Sequence, residues 1–262
     1  MSKVGIIGGS GLYEIPGLRL TEERDMDTPF GMPSSPYMMG ELGGSELVFL
    51  PRHGLHHDLA PHRINYRANI RGFSTLGVDR IISVCSSGGI NPSLEPGSIV
   101  VLDQVLDFTQ GARASSFYDE HEVVHIDFTE PFCPELRAAL IGAAGEAGID
   151  VAGSGTYVCV NGPRLESRAE INLFSSMGAD VVGMTAMPEA ALAREDQICL
   201  ANITVVTNRA AGITGQKLTT LEVVENMRQS TERVKALIKA MLPLIPAERS
   251  CPCKDALKDA GM

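Results

Sequence analysis

The sequence predicts an α/β fold built on a largely parallel sheet with helices on both faces. Three observations carry that expectation. Short apolar runs rich in β-branched residues recur between Gly, Pro or Asn, as strands buried on both faces do. Helical periodicity fills several of the intervals, and alternation of strands with helices is the pattern of a parallel sheet. At 262 residues, with 44% hydrophobic and 21% charged, the chain is long enough for one large core and ordinary in composition.

In chain order, a strand over Val4–Ile7 runs into the turn Gly8-Gly9-Ser10-Gly11, whose backbone N–H groups and hydroxyl suit an anion. As a dinucleotide fingerprint the turn fails, because no third glycine follows Gly11 at the required spacing. A second strand, Glu46–Leu50, delivers Pro51-Arg52-His53-Gly54 to its carboxyl end, where open α/β sheets place ligands. Arg supplies a fork for phosphate and His a further donor. A helix over Ile64–Leu76 precedes the strand Arg80–Val84, which ends in Ser86-Ser87-Gly88-Gly89, and Ser98–Leu102 forms the next strand. The segment Asp107–Thr129 reads as a long polar loop, and loops of that length in a compact domain tend to be functional.

The second half continues with a helix Glu135–Ala147, a strand Gly155–Val160 and a helix Arg168–Met177. A strand over Asp180–Met184 then leads to Thr185, a helix covers Glu189–Asp196, and a strand covers Ile203–Thr207. The last helix, Leu221–Leu242, opens at Thr219-Thr220-Leu221-Glu222 as a capping box. Four strand ends thus carry a hydroxyl or a cation, which together describe one oxyanion site. No internal repeat or linker divides the chain, so residues 1–245 read as one domain and 246–262 as a tail containing Cys251-Pro252-Cys253.

A net charge of −10 disfavours nucleic acid and acidic membranes as partners and leaves a small molecule. No apolar run is long enough to span a bilayer, and the first residues enter a strand without signal-peptide character, so a cytoplasmic location is expected. Of the six cysteines, Cys85, Cys133, Cys159 and Cys199 stand singly among apolar neighbours. Two thiolates in the tail fall short of the four N/S ligands of a structural zinc site, which favours a redox-active or oxidised tail. The histidines His53, His56, His57 and His62 lie in a Pro/Gly-rich loop with Asp58 as the sole carboxylate, which favours substrate or phosphate contact over metal.

Several motifs in this order are similar to the methylthioadenosine phosphorylase branch of the trimeric purine nucleoside phosphorylases. They are GIIGGSGL, FLPRHG, Asn65-Tyr66-Arg67-Ala68-Asn69, SFYDEHEVVHIDFTEPFCP, GPRLESRAE and GADVVGMTAMPEAALAREDQI, and the likeness runs from Val4 to about Leu242. The resemblance implies a single-domain phosphorylase fold, with a mixed, barrel-like central sheet surrounded by helices, and cleavage of a purine nucleoside by inorganic phosphate as co-substrate. It implies no metal or organic cofactor. Ser10, Arg52, His53, Ser86 and Thr185 take the positions of phosphate ligands, Met184 that of the residue under the ribose, and Leu165 that of an aromatic facing the base. His57 and His125 match residues near the sugar and its 5′ substituent, His125 coming from a neighbouring subunit, so a homotrimer or a dimer of trimers is expected. The tail resembles the CxC endings of heat-adapted members, where paired cysteines occur.

Two departures from that branch point the same way. Glu166 stands where the branch carries a small hydroxyl residue, and Thr207-Asn208-Arg209-Ala210 stands where it carries Thr-Asp-x-Asp. Glu166 and Asn208 look like the pair of 6-oxopurine nucleoside phosphorylases, with Thr207 and Ala210 beside the base. A carboxylate accepts from N1–H and an amide both donates and accepts, so hypoxanthine or guanine satisfies both, whereas adenine leaves a buried group unpaired. The expected substrates are inosine and guanosine. Val223 and Val224 form an apolar wall at the 5′ position, which keeps S-methyl-5′-thioinosine as the alternative and 5′-methylthioadenosine behind it. A hydrolytic nucleosidase would need no Arg52-His53 phosphate site, and a binding protein would not turn substrate over.

Overall fold

The structure is a computed structural model that describes residues 3–9, 12, 14–109, 111, 113–119, 122–213 and 220–261, with the backbone alone at 220–223. Its strands are β1 (Lys3–Gly8), β2 (Arg19–Arg24), β3 (Tyr37–Leu42), β4 (Ser45–Pro51), β5 (Arg80–Gly89), β6 (Ile99–Val101), β7 (Gln104–Phe108), β8 (Thr156–Val160), β9 (Val181–Gly183) and β10 (Cys199–Arg209). The helices are α1 (Tyr66–Thr75), α2 (Pro134–Ala147), α3 (Arg168–Ser176), α4 (Ala186–Glu195) and α5 (Thr220–Met241).

One sheet runs β2-β3-β4-β1-β5-β9-β8-β7, and β10 branches from β5 to reach β6. The neighbours β4, β1, β5 and β10 are parallel, as the sequence predicts. The sheet is nevertheless mixed, because β2–β3, β3–β4, β5–β9 and β6–β10 pair antiparallel. Long β5 causes the branching: Arg80–Ser83 pairs with β1, while Gly88 and Gly89 have left β1 and pair with β9.

Alternation along the strands divides the core between the two faces. Val4, Ile6, Leu47, Phe49, Ile82 and Val84 pack with Leu136 and Leu140 of α2 and Leu237 and Ile238 of α5. Ile7, Val48, Leu50 and Ile81 pack with Ile70 and Phe73 of α1 and Ala190 and Ala193 of α4. Truncating fully buried Phe73 to Ala would cost about 3–5 kcal/mol.

Three strands were not expected. In β2, RLTEER is exposed at every position, so no core face marks it as a strand, and its charges suit an edge. In β3, Met and Gly replace the β-branched residues that signal a strand. Strand β7 is half-buried and takes Asp107 and Phe108 from what reads as loop. The capping box expected at Thr219–Glu222 lies outside the described residues. No helix among the described residues is long and apolar enough to cross a membrane.

The tail joins the core, with Cys251 and Cys253 buried beside α2 and β10. Ser250 donates through its N–H (2.7 Å) and its hydroxyl to Glu135 in the first turn of α2. Beyond, Gly261 bridges Val124, and His125 N–H donates to Ala260 O at 2.8 Å.

Candidate active site

Parallel pairing puts the carboxyl ends of β1, β4, β5 and β10 on one side of the sheet. Gly8 stands opposite Pro51, and Arg52 N–H donates to Gly8 O at 3.0 Å, so Arg52 and His53 emerge against the glycine turn. Ser10 lies outside the described residues.

Arg52 is 2% exposed, and its guanidinium is already engaged. Nε and Nη2 fork onto Glu189 at 2.5 and 3.1 Å, Nη2 also donates to Ser83 Oγ at 2.8 Å, and Nη1 donates to Val84 O at 2.8 Å. Of five guanidinium N–H groups, one on Nη1 has no partner among the described residues and can meet a ligand. Ser83 Oγ donates to Glu189 Oε2 at 2.8 Å and accepts from Asn202 at 3.1 Å, closing a buried polar network. Burial opposes charge on Arg52, but the Glu189 carboxylate more than offsets this and holds the guanidinium ionised. The sequence reading missed Glu189, whose only signal was a glutamate inside the apolar run Met187–Leu192.

His53 Nδ1 lies 2.8 Å from Leu59 O, and a carbonyl can only accept, so Nδ1 carries the proton. Burial, then the Arg52 charge, lower the His53 pKa to about 4, so at neutral pH Nε2 presents a lone pair. Its ring stacks on that of His57 with centroids 4.6 Å apart. His57 is exposed, and His62 lines a different cavity of about 150 Å³ with Tyr66, Arg67 and Arg113.

Ser86 and Thr185 approach each other through the antiparallel pairing of β5 with β9. Gly88 opposes Val182, so the chain leaving β9 runs back along β5 toward Ser86, carrying Met184 and Thr185. Ser86 is exposed, while Ser87 faces inward and accepts from Thr204 Oγ1 at 2.9 Å. Met184 is half-buried against Gly162, which has φ +61° and would set a Cβ 2.3 Å from Met184 Sδ. The positive φ favours glycine there, and the contact ties the Gly162–Glu166 loop to Met184.

Asn208 is 7% exposed, with its amide set by local bonds: Oδ1 accepts from Thr207 Oγ1 at 3.0 Å, and Nδ2 donates to Arg209 O at 2.8 Å. Among the described residues, one N–H and one lone pair of the amide are left without a partner. From α5, Asn226 Nδ2 donates to Thr207 O at 2.6 Å and holds this strand end. Ala210 packs against Ile171 and Phe174 of α3. Gly212, at φ +80°, would set a Cβ 2.5 Å from Arg168 Cγ, so the chain after Asn208 lies on the start of α3, two residues beyond Glu166.

At that helix start Ser167 and Glu170 form a reciprocal capping box, and Arg164 forks onto Glu170 at 2.9 and 2.7 Å. Those contacts hold the Glu170 pKa down at about 2. Glu170 therefore serves the helix end, and among the described residues no side chain is hydrogen-bonded to the Glu166 carboxylate. Burial raises the Glu166 pKa. Leu165 beside it is exposed, Val223 lies outside the described side chains, and Val224 is exposed on α5. His125 is exposed, on the segment bridged to the tail.

The sheet thus carries hydroxyls, a histidine and the Asn208 amide at the carboxyl ends of its strands, with Glu166 two residues before α3. The phosphorylase superfamily profile matches residues 3–243, and the chain belongs to that family. It is 52% identical to the probable S-methyl-5′-thioinosine phosphorylase of Thermodesulfovibrio yellowstonii, over 99% of this chain and 97% of the relative. It is 49% identical to the 6-oxopurine nucleoside phosphorylase of Pyrococcus furiosus, over 99% of both chains. A methylthioadenosine phosphorylase from an antarctic soil metagenomic library superimposes with a TM-score of 0.92 at 36% identity, covering 100% of this chain and 92% of that one.

Proposed function

We propose that this protein cleaves 6-oxopurine nucleosides, inosine and guanosine, with inorganic phosphate to give the free base and ribose 1-phosphate. The observation that carries the reading is the Asn208 amide, fixed by Thr207 and Arg209 so that, among the described residues, one donor and one acceptor have no partner. These match O6 and a protonated N7 of the departing purine, while Glu166, free of the capping role, accepts from N1–H.

As the C1′–N9 bond breaks, its electron pair passes to the purine and a phosphate oxygen bonds to C1′. As negative charge gathers on the purine, N7 takes up a proton from solvent; Asn208 Oδ1 accepts from N7–H, and its free N–H donates to O6, where the remaining charge gathers. Ser86, Thr185, Ser10 and the remaining Arg52 N–H hold phosphate, with the Arg52–Glu189 pair as a neutral, rigid base for the site. The His53 Nε2 lone pair accepts from the hydroxyl of monohydrogen phosphate, which aims an ionised oxygen elsewhere. Met184 lies under the ribose, Leu165 faces the base and His57 stands near the sugar. His125, exposed in the single chain, completes the 5′ end in a neighbouring subunit of a trimer or a dimer of trimers.

The 52% identity to a probable S-methyl-5′-thioinosine phosphorylase supports that nucleoside as a second substrate, with the same base contacts and an apolar 5′ group. The test of the base contacts is Asn208→Asp. It should lower kcat/KM on inosine by about tenfold or more, the worth of one buried hydrogen bond to developing charge, with a relative gain for 6-aminopurines. Undiminished inosine activity would show that Asn208 does not hold the base.

A further inference from the structure

We infer that Cys133, Cys199, Cys251 and Cys253 form a structural site for a thiophilic divalent cation, Zn2+ or Fe2+, outside the nucleoside site. Sequence spacing offers only the two thiols of the tail, but the fold adds two more. Cys133 directly precedes α2, Cys199 opens β10, and the tail lays Cys251 and Cys253 over both. All four sulfurs lie within 4.8 Å of one another and all four residues are buried.

A tetrahedral tetrathiolate site with metal–sulfur bonds of about 2.3 Å has sulfur–sulfur edges of about 3.8 Å. Cys199 and Cys251 are 3.3 Å apart, so small rotations about the Cα–Cβ bonds bring the cluster to that geometry. All four sulfurs lie close enough for one ion to bridge them, whereas two disulfides would draw them into two separate pairs.

Two cations flank the four sulfurs, with the Glu135 carboxylate beside Cys251. Arg249 lies near Cys199 and Cys251, and Arg194 lies near Cys253. Cys133 is the N-cap residue of α2, where the helix dipole favours negative charge. Backbone donors and cations around thiolates are the outer partners that tune metal sites. Binding replaces four S–H protons by one M2+, releases four protons and changes no oxidation state.

The bound ion would clamp the tail to α2 and β10, and through Ala260 and Gly261 it would fix the segment holding His125. The experiment is elemental analysis of protein prepared with a thiol reductant and no chelator, followed by stripping and titration with Co2+. The expected result is about one zinc or iron per chain, and on Co2+ binding the intense visible absorption of a tetrahedral tetrathiolate. Cys133→Ser and Cys253→Ser should each lower metal content severalfold, while Cys85→Ala, at a buried thiol elsewhere, should retain it. Should the serine variants fail to fold, the wild-type metal content and Co2+ spectrum decide. Metal-free protein that takes up no Co2+ with its thiols reduced, or thiol-trapped protein lighter by four hydrogens from two disulfides, would overturn the inference.

Discussion

Glu189→Gln removes the counter-charge from Arg52 while keeping shape. The wild-type carboxylate accepts two bonds from the guanidinium and one from Ser83, with both ionic side chains at most 2% exposed. The amide keeps one acceptor, but its NH2 turns a second hydrogen bond into a donor–donor conflict and leaves a cation buried without a partner. Breaking a buried pair from one side costs about 3–5 kcal/mol, and the retained acceptor places this variant near the lower end, about 3 kcal/mol. That is a large share of the about 5–15 kcal/mol that holds a typical domain together. The assay is urea denaturation at fixed protein concentration, with and without phosphate. The variant should lose stability, and phosphate should restore more to it than to wild type, because the freed guanidinium gains N–H groups for the anion. A variant within about 0.5 kcal/mol of wild type, the range of ordinary surface substitutions, would refute the reasoning.

Three further outcomes follow from the site. The His53 pKa is lowered to about 4, so the unfolded chain binds a proton that the folded chain refuses between the ordinary histidine value, about 6.5, and about 4. Stability from this source is present above that window and is lost as pH falls through it, so the stability advantage of wild type over His53→Gln should shrink from pH 7 to pH 4 in urea titrations. Burial raises the Glu166 pKa, so the acid limb of kcat/KM on inosine should lie above the usual carboxylate range and vanish in Glu166→Gln; an unchanged limb would assign it to another group. Gly162→Ala adds a Cβ 2.3 Å from Met184 Sδ at a positive φ, so it should cost about 1–3 kcal/mol and raise KM for nucleoside, as thermal melting and initial rates would report.

Legibility in the sequence followed burial. Strands β1, β4, β5 and β10 are largely buried on both faces and carry β-branched residues, whereas β2 buries nothing and β3 relies on methionines. The motifs around Arg52, His53 and Asn208 place them at strand ends, and the structure puts those ends on one side of the sheet, with Glu166 just before α3. What Arg52 holds was not legible, since Glu189 lies 137 residues away and pairs only through the return of α4. The capping box Ser167–Glu170 was present in the sequence and went unread, although it explains why Glu166 stays free of the helix end. Four cysteines scattered over 121 positions gather only because α2, β10 and the tail meet.

The central claim is the choice of base, and initial rates on inosine, S-methyl-5′-thioinosine, adenosine and 5′-methylthioadenosine, each with and without phosphate, test it most directly. The account predicts phosphate-dependent cleavage of the two 6-oxopurines, with both 6-aminopurines far slower. Preferential cleavage of 5′-methylthioadenosine, or rates that ignore phosphate, would contradict it.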